Sequence, residues 1–80
     1  MPLEITVYSG SHRRACNQVK EFLSRAGYTF SDRNVEEDHE AYSALVALGY
    51  RAVPVTLIGG RPVKGFDEAA LRAALHADGS

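Results

Sequence analysis

The sequence has 80 residues, a formal net charge of −1 and 45% hydrophobic residues, which is ordinary for a soluble globular protein. A chain of this length predicts one small domain over residues 1–80, which buries only about 60–65% of its unfolded surface. The near-neutral charge excludes the basic field that recognition of a nucleic acid backbone requires. No apolar run approaches the ~20 residues that cross a bilayer, and the N-terminal residues lack the pattern of a signal peptide. We therefore expect neither a nucleic acid nor a membrane as a partner.

The sequence contains a single cysteine, Cys16. A lone thiol forms no disulfide within the chain and no cysteine-based zinc site. His12 is not clustered with other metal-ligand residue types, so it predicts a solvent-facing or capping residue and no metal site. A small protein without disulfides suits a reducing compartment, and we expect the cytoplasm.

The N-terminal half predicts a β-α-β unit. Residues 3–8 alternate in hydrophobicity and are rich in β-formers, which is typical of a strand. Residues 13–26 predict an amphipathic helix that stops at Gly27. The apolar face of this helix comprises Ala15, Val19, Phe22, Leu23 and Ala26. A second strand is marked by Tyr28, Phe30 and Val35. Two strands joined in this way are expected to be parallel, with a right-handed crossover.

The C-terminal half predicts a helix, a hairpin and a last helix. The acidic run at residues 36–38 favours a helix start, because the helix dipole attracts negative charge there, and Gly49 ends the helix. Its buried stripe is predicted to be Ala41, Ala44, Leu45 and Leu48. Residues 53–58 predict a strand, Gly59-Gly60 a tight turn, and residues 61–64 a short edge strand. Asp67 is a good N-cap for the last helix, whose stripe is Ala70, Leu71, Ala74 and Leu75.

The predicted order β-α-β-α-β-β-α leaves several topologies open, but six short motifs carry a family likeness. They are Ile5-Thr6-Val7-Tyr8-Ser9, Val19-Lys20-Glu21-Phe22-Leu23 before Gly27, Asn34-Val35, Gly49-Tyr50, Val53-Pro54-Val55 and Gly65-Phe66-Asp67. In this order and spacing, residues 3–76 resemble the glutaredoxins, especially the small glutaredoxin-like electron donors that serve ribonucleotide reductase. The resemblance implies an α/β thioredoxin fold. Its four-stranded mixed sheet has the strand order 2-1-3-4, with the first and third helices on one face and the second on the other.

The resemblance also implies a Cys-x-x-Cys motif where the first strand meets the first helix. In this sequence the first of these positions is Arg13 and the second is Cys16. In the family chemistry the first cysteine attacks a target disulfide as a thiolate, and the second resolves the mixed disulfide. Arginine has no nucleophilic atom, so the ordinary dithiol cycle cannot begin at this position. Iron–sulfur cluster binding of the monothiol type depends on the same missing cysteine and is therefore not expected.

Cys16 therefore has two interpretations. In the first interpretation it acts as a single catalytic thiol, whose thiolate is favoured by the nearby charges of Arg13 and Arg14 and by the helix N-terminus. Alternatively it is a small buried residue, because it shares a helix face with Val19 and Leu23 at spacings of three and seven. The shared helix face favours the second interpretation, in which Cys16 is buried.

The other candidate site residues are implied to line a groove for glutathione or an extended peptide. The resemblance implies a cis peptide at Val53-Pro54, from which the N–H and C=O of Val53 pair with a bound backbone. Arg13 and Arg14 are candidates to bind an anion. Alternatively, they are two solvated side chains at the helix start. The carboxylate of a ligand would meet the helix start at Gly65, Phe66 and Asp67, whose structural alternative is an N-cap beside a core aromatic.

Two functions stay open from the sequence. The first is a glutaredoxin-like thiol–disulfide redox protein limited to Cys16, with a protein disulfide or glutathione as substrate and a thioredoxin reductase-like donor as partner. The second is a catalytically degenerate redoxin that binds glutathione or an extended peptide without redox chemistry. Neither requires a bound cofactor, and whether the chain is an enzyme depends on Cys16.

Overall fold

The computed structural model describes residues 3–77. Its elements are β1 (Ile5–Ser9), α1 (Arg14–Arg25), β2 (Ser31–Asn34), α2 (His39–Ala47), β3 (Val55–Ile58), β4 (Arg61–Lys64) and α3 (Glu68–Ala77). The sheet order is β2-β1-β3-β4, in which β1 and β2 are parallel and the other two pairs are antiparallel. This confirms the predicted element order and the thioredoxin fold. Within residues 3–77 no helix has the length and apolar character needed to span a membrane.

The sheet separates two apolar cores. On the face covered by α1 and α3, the buried residues are Ile5, Val7, Val19, Leu23, Ile58, Val63, Leu71, Ala74 and Leu75. On the face covered by α2 they are Tyr8, Ala41, Leu45 and Val55. Successive residues of a strand point to opposite faces, so β1 contributes to both cores. Each fully buried leucine or isoleucine contributes about 1.5–3 kcal/mol, and together these contacts fix the strand ends that carry the site.

The second strand lies later in the chain than predicted. Tyr28 and Phe30 come before it and pack half-buried against the α1/α3 core, whereas β2 itself is the polar run Ser31–Asn34. Because β2 is an edge strand that pairs only with β1, its place is decided by backbone register and not by apolar side chains. The register pairs Thr6 with Ser31.

Asp32 anchors this polar strand. It accepts hydrogen bonds from the Ser9 hydroxyl and from Lys20 Nζ, the latter at 2.9 Å. Partial burial is the largest single influence on its pKa and raises it, but the two hydrogen bonds and the charge of Lys20 outweigh burial, so the pKa of Asp32 is lowered. The pair joins α1 to β2 beside the loop that follows β1.

Two residues assigned to buried helix faces are exposed instead. Ala26 and Leu48 are the C-cap residues of α1 and α2, and Leu48 is 37% exposed. At both positions the chain leaves the helix through a glycine with positive φ, Gly27 at 87° and Gly49 at 97°, so the last predicted position of each stripe turns away from the core. The third strand begins at Val55 and not at Val53, because Pro54 has no N–H to donate to the ladder.

Candidate functional site

The first helix begins one loop after β1, and its start carries both positions implied for the redox motif. Arg13 is the N-cap residue of α1, with extended backbone geometry and no capping hydrogen bond from its side chain. Cys16 lies in the first turn, is 0% exposed, and its Sγ accepts a hydrogen bond from the Gly10 N–H at 3.5 Å. The structure therefore encloses the only cysteine of the sequence in the protein interior, as the helix-face argument predicted. Arg13 remains at the surface.

The side chain of Arg13 is engaged by Glu36. The Arg13 Nε and Nη2 atoms donate to the same oxygen, Glu36 Oε2, at 3.2 and 2.9 Å. The hydrogen bond from Arg13 is the main reason why the pKa of Glu36 is lowered, and a hydrogen bond from the Ser11 backbone adds to it. The two side chains are 55% and 39% exposed, so solvent screens the pair and its contribution to stability is small.

This ion pair lies across the backbone of Gly10. A Cβ at residue 10 would come within 2.6 Å of both Arg13 Nε and Glu36 Oε2, so a larger residue there would displace both side chains from their present positions. Asn34 joins the same two loops, because its Nδ2 donates to Ser11 Oγ at 3.1 Å and its Oδ1 accepts the Glu36 N–H at 2.8 Å. The loop over Cys16 is thus tied to the turn that follows β2.

A groove of about 440 Å³ opens beside this pair. It is lined by Arg13, Val35, Glu36, Tyr42, Arg51, Ala52 and Val53. The Val53-Pro54 peptide is cis, as the resemblance implied. The Pro54 C=O accepts the Gly65 N–H at 2.8 Å, whereas within residues 3–77 no hydrogen bond uses the backbone N–H or C=O of Val53. A residue with both backbone groups unpaired at the edge of a groove can take up an extended chain in β fashion.

The remaining predicted site residues lie apart from this groove. Arg14 is exposed on the first turn of α1, and its side chain has no partner within residues 3–77. Gly65 is bonded to Pro54, and Asp67 caps α3 by accepting the Ala70 N–H at 3.0 Å. Phe66, which is 36% exposed, stacks edge-on against Phe22 and lines a separate groove between α1 and α3. The structure therefore brings Arg13 together with Val53, but not with Phe66.

Five residues that line the groove were not named as site residues by sequence reasoning: Val35, Glu36, Tyr42, Arg51 and Ala52. Arg51 lies two residues before Val53, so its nearness to the Val53-Pro54 motif was a usable signal. Tyr42 lies on α2 outside the predicted buried stripe and is 38% exposed. Glu36 was interpreted only as helix-start charge, and no local pattern links it to Arg13, 23 positions earlier. In the described part of the chain, no three side chains of the His, Cys, Asp or Glu type group closely enough to hold a metal ion.

The sheet order, the helix start after β1 and the cis peptide together define a protein of the thioredoxin fold. The glutaredoxin family model matches residues 5–63. The chain therefore belongs to the glutaredoxin family, whose chemistry is thiol–disulfide exchange.

Several known proteins are similar to this chain. The glutaredoxin-like protein NrdH of Lactococcus lactis subsp. cremoris is 35% identical over 51 residues, covering 64% of this chain and 71% of that protein. NrdH of Escherichia coli K12 is 33% identical over 64 residues, covering 80% of this chain and 79% of that protein. The solved structure of the E. coli NrdH-redoxin, described as having a thioredoxin-like activity profile, superposes with a TM-score of 0.76, 31% identity, and coverage of 86% and 92%. The thioredoxin-like protein BC3987 superposes with a TM-score of 0.86 at 29% identity, and the match covers 90% of this chain and 100% of that protein.

Proposed function

We propose that this glutaredoxin-family chain is a binding module, which holds an extended peptide or glutathione in the groove beside Val53 without exchanging disulfides through its own sulfur. The observation that carries the proposal is the pair of unbonded backbone groups of Val53 at the edge of a groove. Antiparallel or parallel pairing with a ligand backbone would satisfy both groups at once. We propose the cytoplasm as the location of this protein, because a lone thiol stays reduced in a reducing compartment.

The inaccessibility of Cys16 supports the absence of turnover. Thiol–disulfide exchange requires the attacking thiolate to reach a disulfide sulfur along the S–S axis. Cys16 is 0% exposed, and the loop above it is held by Arg13, Glu36 and Asn34. At the exposed position the guanidinium of Arg13 cannot act as a nucleophile.

A second candidate function is single-thiol exchange through Cys16. It is favoured by the thioredoxin-like activity of the E. coli relative and by the Gly10 N–H that is directed at Cys16 Sγ. In this function a thioredoxin reductase-like donor would return the sulfur to the reduced state, and the partner would be a protein disulfide. It requires the loop at residues 10–13 to move away from the sulfur.

Binding without exchange is tested with S-methylglutathione, which has neither a free thiol nor a disulfide. We expect titration to shift the backbone amide signals of Arg51, Ala52 and Val53 in ¹⁵N–¹H spectra, while signals of α3 stay in place. If no signal near Val53 moves with S-methylglutathione or with an extended peptide, the binding module is refuted.

Turnover is tested with a glutathione-coupled disulfide reduction assay on the parent chain, Cys16→Ala and Arg13→Cys. The parent is expected to show no more activity than Cys16→Ala, and Arg13→Cys is expected to gain activity, because an exposed cysteine at a helix start forms a thiolate readily. Parent activity that disappears in Cys16→Ala would establish the second candidate instead.

A further inference from the structure

We propose that the ligand of the groove is an extended peptide bearing a carboxylate side chain. This carboxylate replaces Glu36 as the ion-pair partner of Arg13. This inference rests on the proposed function and assigns Arg13 as the residue that determines ligand charge. It also assigns Glu36 a role as the carboxylate that occupies the place of the ligand acid in the free protein.

The charges that line the groove support an acidic ligand. The lining includes two guanidinium groups, those of Arg13 and Arg51, and one carboxylate, that of Glu36. Within residues 3–77 the side chain of Arg51 has no hydrogen-bond or ion-pair partner. The groove therefore has an excess of positive charge in a chain whose formal net charge is −1. Charge complementarity of this kind selects partners of opposite sign.

The Arg13–Glu36 pair shows that a carboxylate is accommodated at this place. Both donating atoms of Arg13 are directed at one oxygen of Glu36, so a ligand carboxylate has to displace only that oxygen to bind the same two N–H donors. The two side chains are 55% and 39% exposed. An exposed ion pair is easily exchanged for another of the same kind, because solvent screens it and its side chains remain mobile.

The backbone geometry places a ligand side chain within reach of these charges. A peptide that pairs with Val53 would lie along the groove whose wall is formed by Arg13 and Arg51. In an extended peptide successive side chains point to opposite sides, so one acidic residue is sufficient to face the guanidinium groups while its neighbours face away. A ligand with an amide at that position would leave the excess positive charge uncompensated.

The test compares two labelled peptides, Ala-Val-Glu-Val-Ala and Ala-Val-Gln-Val-Ala, by fluorescence anisotropy against the parent, Arg13→Gln, Glu36→Gln and Arg25→Gln. We expect the parent to bind the glutamate peptide about fivefold more tightly than the glutamine peptide, as for an exposed but well-formed ion pair. Arg13→Gln should remove this preference. Glu36→Gln should strengthen binding of the glutamate peptide about threefold, because the competing carboxylate is gone. Arg25→Gln removes an exposed arginine that pairs with Glu21 outside the groove, and should retain the preference of the parent.

The outcomes separate this inference from the proposed function. Equal affinities of the parent for the two peptides, or a preference that persists in Arg13→Gln, would overturn the acidic ligand while the binding module stands. The acidic ligand is likewise overturned if S-methylglutathione binds but neither peptide does. Failure of all three ligands refutes both the binding module and its acidic specificity. The preference should also decline as salt is raised to 1 M, where the Debye length is about 3 Å, and a preference that is insensitive to salt contradicts an ion pair.

Discussion

Replacing Cys16 distinguishes a core residue from a reactive thiol most directly. The side chain is 0% exposed, lies on the same helix as the buried Val19 and Leu23, and has the Gly10 N–H as its polar neighbour. Cys16→Ala removes one buried atom and leaves a small cavity, so it should lower the free energy of unfolding by about 1.5 kcal/mol. Cys16→Ser buries a hydroxyl whose oxygen can accept from the Gly10 N–H but whose proton gains no acceptor among the hydrogen bonds of Cys16, and it should cost about 2 kcal/mol. For a domain of this size the latter lowers Tm by roughly 8–16 °C.

The assay is equilibrium urea unfolding followed by circular dichroism, with Ser24→Ala on the exposed side of α1 as the control. The control should stay within about 0.5 kcal/mol of the parent. Alkylation of the parent by iodoacetamide should be slow in buffer and fast in urea, because the sulfur becomes accessible on unfolding. The reasoning fails if Cys16→Ser is as stable as the parent with an unchanged m-value and the native thiol reacts at the rate of a free cysteine.

Three further predictions concern the groove, a helix cap and the sheet. The pKa of Glu36, measured by side-chain NMR titration, should lie below its ordinary value and rise towards it in Arg13→Gln, because Arg13 donates to the ionised form. Since the folded-state pKa is the lower one, the stabilisation by Glu36 is present above the ordinary pKa of 4.5 and is lost as pH falls through the folded value. Asp67→Ala should cost about 1 kcal/mol in urea unfolding, because the Ala70 N–H loses its acceptor. Thr56→Val should stabilise the chain by about 1 kcal/mol in the same assay, because Thr56 Oγ1 is buried without a partner in the described part of the chain.

Each of these predictions has a contrary result. A titration of Glu36 that is identical in the parent and in Arg13→Gln would show that the ion pair does not form in solution. Asp67→Ala with unchanged stability would mean that water caps α3 as well as the carboxylate does. A loss of stability in Thr56→Val would reveal a hydrogen bond of the hydroxyl that the described structure lacks.

The sequence determined those parts of the fold that depend on local patterns. The apolar faces at Val19 and Leu23 and at Leu71 and Leu75, the stop at Gly27 and the turn at Gly59-Gly60 all follow from short-range spacing. Family likeness then selected one strand order among several, and the sheet confirms it. The second strand was misplaced, because an edge strand is positioned by backbone pairing with β1 and needs no apolar signal of its own.

The site was only partly readable from the sequence. The positions of Arg13, Cys16 and Val53-Pro54 could be named from motif spacing, and the burial of Cys16 from its helix face. The partner of Arg13 could not, because an ion pair between loops that are far apart in sequence leaves no periodic trace. Only the tertiary structure brings the turn after β2 over Gly10, where Glu36 meets Arg13 and the two close the loop above the sulfur. Local spacing thus decided which residues reach the end of the sheet, and packing of the parallel strands decided which of them meet there.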